Sequence, residues 1–76
     1  MTTKQTYNLI IELTLAGVEY PSDIAAQTGL DLEVINTALR IESLGAYLSD
    51  DTIDDPLAWE ELMYLQTHLE ELVHNV

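Results

Sequence analysis

The chain has 76 residues, with 14 Asp and Glu against 2 Lys and Arg, and so carries a formal net charge of −12. A chain this short removes only ~60% of its unfolded surface from water, so a single domain with a thin core is expected, helped by a partner or a second copy. A field of this sign repels nucleic acid and anionic lipid and favours basic protein surfaces, while the lack of cysteine excludes a disulfide framework, a thiolate metal site and cysteine nucleophile chemistry.

The opening "MTTKQTYNLI" has no charged, apolar and small-residue succession of a signal peptide, and no apolar run approaches the ~18 residues that span a bilayer. A soluble, cytoplasmic protein is expected. "TKQTYNLIIELTLAG" begins with Thr, continues in helix formers and ends at Gly17, which predicts a first helix with a left-handed stop. Leu9, Ile10, Ile11, Leu13 and Leu15 make that helix apolar most of the way round, as in helices buried on more than one side. "VEY" at 18–20 is a short β-prone stretch, and Pro21 and Ser22 supply a stop and an N-cap for a second helix of about two turns over "SDIAAQTG".

Gly29 ends that helix, Asp31 can cap a third over residues 32–44, and Glu33 suits the positive end of its dipole. Gly45 is the expected end of the third helix. "AYLS" and "DTI" flank Asp50-Asp51 and predict a very short β-hairpin, after which Asp55-Pro56 opens a last helix from about Leu57 to His74. The expected fold is mostly α: one domain over 1–76, with a core over 7–53, a short hairpin and an added C-terminal helix.

This order, with "YPSDIAAQTGLDLEVINTALRIESLGAYLS" at its centre, resembles the winged helix-turn-helix superfamily, of which the MarR-like bacterial regulators are a familiar example. The resemblance covers residues 7–53 and rests on Ile24-Ala25, Gly29, the core spacing of Val34, Ala38 and Ile41, and "ESLGAYLS" leading into the wing. It implies a third helix that enters the major groove, a wing that touches phosphates, and dimerisation through terminal helices.

On a period of 3.6, Val34, Ala38, Ile41 and Leu44 face the core, leaving Leu32, Ile35 and Leu39 on a second face that would meet DNA. Bases are read by hydrogen-bonding side chains and phosphates by cations. Only Asn36, Arg40 and Ser43 suit that task, and the wing offers "SDDTIDD", four carboxylates where a DNA binder places Lys or Arg. Each neutralised phosphate adds about −0.9 to the slope of log affinity against log salt, and Lys4 and Arg40 supply about two such contacts at most. Fourteen carboxylates oppose them. Adaptation of the surface to a salt-rich host is another source of such acidity.

Within "DDTIDDPLAWEE", Asp50, Thr52, Asp54 and Glu61 fall at positions 1, 3, 5 and 12 of an EF-hand-like loop, but position 6 is Asp55 and Pro56 follows, where the bend needs Gly. A solvated acidic turn is the better reading. "EELVH" holds one Glu-x-x-His pair, short of the two that a di-iron bundle uses, and no phosphate loop or nucleophile–base pair is evident. No enzyme, metal or cofactor is expected.

The last helix carries Leu62, Leu65, Leu69, Leu72 and Val76 at spacings of three and four, with Trp59 one step earlier and Met63 and Val73 widening the stripe. Such a stripe packs on its own domain or forms the seam of a homodimer. The expected function is a non-enzymatic, acidic protein-binding module. Its partner surface would be Asp50, Asp51, Asp54, Asp55, Leu32, Ile35 and Leu39, presented to a basic, nucleic-acid-handling protein as DNA-mimicking inhibitors of phages and mobile elements present theirs. The alternative is a dimeric transcriptional regulator that binds DNA through Asn36, Arg40 and Ser43. A metal-dependent sensor using the acidic loop or the histidines is a third class.

Overall fold

A computed structural model describes residues 1–74. The first helix, α1 (Thr3–Leu15), starts at a capping box: the Thr2 hydroxyl accepts from the Gln5 N–H, and the Gln5 side chain accepts from the Thr2 N–H at 2.8 Å. It stops where expected, with Gly17 at φ +101° and the Val18 N–H donating to Leu13 O at 3.0 Å. Only one stripe of α1 is deeply buried, through Thr6 and Ile10, while Leu15 stands in solvent. The expected burial on more than one side is met in part: Tyr7, Leu9, Ile11 and Leu13 are half-buried to either side of that stripe, where α1 packs against the third and fourth helices.

Residues 18–20 form no strand, because no second β segment lies among the described residues to pair with them. Tyr20 takes the N-cap position of α2 (Pro21–Thr28), and Pro21 fills the first helical position, where its missing N–H costs nothing. Ser22, expected as the cap, is therefore inside the helix. Gly29, at φ +74°, closes α2 by donating to Ala25 O at 2.9 Å.

The largest difference from expectation lies in α3 (Leu32–Leu48), which runs through Gly45 and takes in "AYL". A glycine inside a helix costs about 1 kcal/mol relative to Ala, whereas burying a leucine contributes about 1.5–3 kcal/mol. Continuing the helix keeps Leu44 and Leu48 in register with Val34, Ala38 and Ile41, and all five are buried. Burial wins over the local stop signal. The winged fold with a β-hairpin is thereby corrected: the described residues contain four helices and no strand, although the mostly-α class holds.

What replaces the wing is a polar turn. Ile53 N–H donates to Asp50 O at 3.1 Å, and Ile53 tucks partly under the core. Asp55 then caps α4 (Pro56–His74): its Oδ1 accepts from the Ala58 N–H at 3.1 Å, and its carbonyl accepts from the Trp59 N–H at 3.2 Å. Helices α3 and α4 form the principal packing pair, an antiparallel hairpin with α1 and α2 laid against it. Its shortest dimension is 17 Å, so the protein is two helices thick.

Candidate functional site

The outer side of the α3–α4 hairpin is fastened by polar pairs along its length. Arg40 Nε and Nη2 donate to the two carboxylate oxygens of Glu61 at 3.2 and 3.3 Å. Nearer the loop, the Tyr47 hydroxyl donates to Asp55 Oδ2 at 3.2 Å; at the far end, His68 Nε2 lies 3.4 Å from Glu33 Oε1 and its ring stacks on Tyr64. The Asp55 carboxylate raises the Tyr47 hydroxyl's pKa from its ordinary value, first by accepting its proton in a hydrogen bond and then by its charge.

Arg40 is the only cation of α3, and its guanidinium is forked onto Glu61. Of the residues that would read DNA, Asn36 and Ser43 are exposed, while Arg40, also exposed, carries the Glu61 carboxylate beside any phosphate it would meet. Leu32 is exposed and Leu39 half-buried against the core. Ile35 is 0% exposed, so it leaves the expected partner surface. The reason is that α3 is packed by α1, α2 and α4 together, so its buried arc is wider than the stripe read from Val34, Ala38 and Ile41.

The acidic turn beside this face presents Asp50, Asp51 and Asp54 to solvent, with Asp55 half-buried by its capping role. Asp50 Oδ1 accepts from both the Thr52 N–H at 2.9 Å and the Thr52 hydroxyl at 2.7 Å. Those donors hold its carboxyl below the usual range. They also occupy an oxygen that a calcium loop would turn to the ion, and among the described residues no three acidic or histidine side chains gather as ligands.

The stripe on α4 is used inside the chain. Leu62 and Leu69 are buried, and Leu65 and Leu72 pack partly against the same core; Val76 lies outside the described residues. Trp59 and Met63 are exposed and take no part in the packed stripe, which corrects their place in it, whereas Val73 packs partly against the core. Sequence reading missed Leu57, Tyr64 and Tyr47, all exposed on or beside this hairpin. The available signal was their position: Leu57 and Tyr64 lie off the Leu62–Leu69 line of α4 by most of a half-turn, and Tyr47 lies off the buried line of α3 that Ile41, Leu44 and Leu48 mark.

A groove of about 400 Å³ runs between α1 and α4, lined by Thr3, Lys4, Tyr7, Ile41, Gln66 and Leu69. The Tyr7 hydroxyl donates to Glu42, and its pKa is pushed up to about 12 by burial and then by that carboxylate. A phenol held in this way is a weaker acid than free tyrosine, the reverse of an activated one. No helix of the described residues is long and apolar enough to cross a membrane. No family model matches the chain, and neither does any curated protein or solved structure.

Proposed function

We propose that this protein is a non-enzymatic acidic binding module that presents carboxylates to the basic surface of a nucleic-acid-handling protein, in the manner of a DNA-mimicking inhibitor. The observation that carries the reading is that the one cation on the α3 face is held by Glu61 while Asp50, Asp51 and Asp54 of the adjoining loop stand in solvent. A phosphate backbone meeting this face finds net negative charge. A basic protein surface finds a field that speeds encounter and suppresses wrong partners.

The test is competitive. Host proteins retained by the immobilised protein are expected to be released by duplex DNA and by molar salt, and to be retained poorly when Asp50, Asp51, Asp54 and Asp55 are all replaced by Asn. In a gel shift at physiological salt the protein itself is expected to leave duplex DNA unshifted. Micromolar DNA binding with a steep salt slope would overturn the reading and favour a regulator acting through Asn36 and Arg40.

A further inference from the structure

The exposed side of α4 changes character along its length. Its N-terminal turns show Leu57 at 76%, Trp59 at 50%, Met63 at 65% and Tyr64 at 64% exposure, whereas beyond them the outward residues are Gln66, Thr67, Glu70, Glu71 and His74. The apolar part is therefore a local patch, built from the residue types that dominate binding interfaces. Glu60 sits in its middle, exposed, three residues from Leu57 and Met63 and four from Tyr64.

That carboxylate decides what can cover the patch. A neutral apolar surface would strip water from Glu60 without giving it a counter-charge, which costs more than the patch returns. A second copy would bring its own Glu60 and another charge of −12 to the same place. A cationic segment has neither difficulty. Of the two cationic side chains, the guanidinium fits better, since it can fork onto a carboxylate while its weakly hydrated plane lies on an aromatic ring.

We infer that the N-terminal turns of α4 dock an arginine-bearing amphipathic segment of the partner protein, with arginine held between Glu60 and the Tyr64 ring and apolar side chains against Leu57, Trp59 and Met63. This rests on the acidic-module reading and names the contact within it. The acidic turn steers; α4 grips.

Trp59 is the only tryptophan in the chain, so its emission reports the patch directly. The probe is a synthetic helical peptide with arginines on one face and leucines on the other, compared with the same peptide carrying lysines. The arginine peptide is expected to shift Trp59 emission and to bind about tenfold tighter than the lysine peptide. Glu60→Gln should weaken it about tenfold, and Tyr64→Ser should remove most of the preference for arginine. Both positions are exposed, so both variants should keep the wild-type circular dichroism.

Equal binding of the two peptides with silent Trp59, lost in the fourfold Asn variant of the turn, would overturn the α4 contact and leave the acidic module standing. Binding of neither peptide would overturn both. An emission shift that follows protein concentration without peptide, with doubled mass in light scattering, would make a second copy the occupant and overturn the inference.

Discussion

At the scale of single residues, two side chains carry measurable consequences of their hydrogen bonds. Tyr7 has its pKa raised from 10.0 to about 12 by burial and by donating to Glu42. A raised folded pKa means that the stabilisation is complete below the unfolded value near 10.0 and is lost as pH climbs through about 12. The difference in phenolate absorbance between wild type and Tyr7→Phe should therefore have its midpoint near 12. At neutral pH the variant should be about 0.5 kcal/mol less stable to urea, at the low end for a part-exposed hydrogen bond. Asp50 runs the other way: its pKa is lowered by the Thr52 donors, so its contribution is present above the unfolded carboxylate value and fades as pH falls through the lower folded one. NMR titration of the loop should show Thr52→Ala raising the Asp50 midpoint. Neither bond was legible in the sequence as a site. The local Asp-x-Thr turn is a short-range pattern that could have been read, whereas Tyr7 and Glu42 lie 35 positions apart and meet only through the packing of α1 on α3.

At the scale of elements, the sequence was legible where a local signal met no opposing one. Gly17 and Gly29 end α1 and α2 in the left-handed region, and Asp55-Pro56 starts α4, as their residue types predict. Gly45 carried the same signal and was overruled, because Leu48 gains a core position beside Leu44 only if the helix continues. The consequence separates a glycine stop from a glycine within a helix. A Cβ at Gly45 would meet nothing within 4 Å and sits on ordinary helical backbone, so Gly45→Ala should stabilise the protein by about 0.5–1 kcal/mol and raise the melting temperature by about 2–8 °C. Gly29→Ala, at φ +74°, should instead destabilise it by about 1–2 kcal/mol. Thermal melts of the two variants decide this; destabilisation by Gly45→Ala would mean that α3 ends there and that the residues beyond it take another form. The stripe on α4 was legible as a packing surface but not as to its partner, since periodicity identifies a face and leaves open which element covers it.

At the scale of the whole molecule, charge and shape act together. The surface of 5196 Å² exceeds the roughly 4,700 Å² usual for this mass, as expected of a body only 17 Å thick. In so thin a body every carboxylate stays near solvent and near its neighbours, and a charge of −12 opposes folding through self-repulsion. Screening should relieve it: the Debye length falls from about 30 Å at 10 mM salt to about 8 Å at 0.15 M, shorter than the separation of most charges on a molecule 37 Å long. The melting temperature should therefore rise by several degrees over that range and then flatten. A fall would mean that Arg40–Glu61 and similar attractions outweigh the repulsion. The same balance bears on self-association, which the leucines of α4 suggested when read alone. Leu62 and Leu69 are spent on the core, and what α4 leaves outside is Leu57, Trp59, Met63 and Tyr64 around Glu60. Two such faces meeting across a two-fold axis would press carboxylates together, so the isolated protein should sediment as a monomer at micromolar concentration in low salt. If the apolar patch can nevertheless pair with itself, high salt will reveal it, because screening weakens the repulsion and leaves the apolar contact intact. A dimer already present in low salt, and lost on Trp59→Ser, would show apolar burial at this patch outweighing the charge of the chain that carries it.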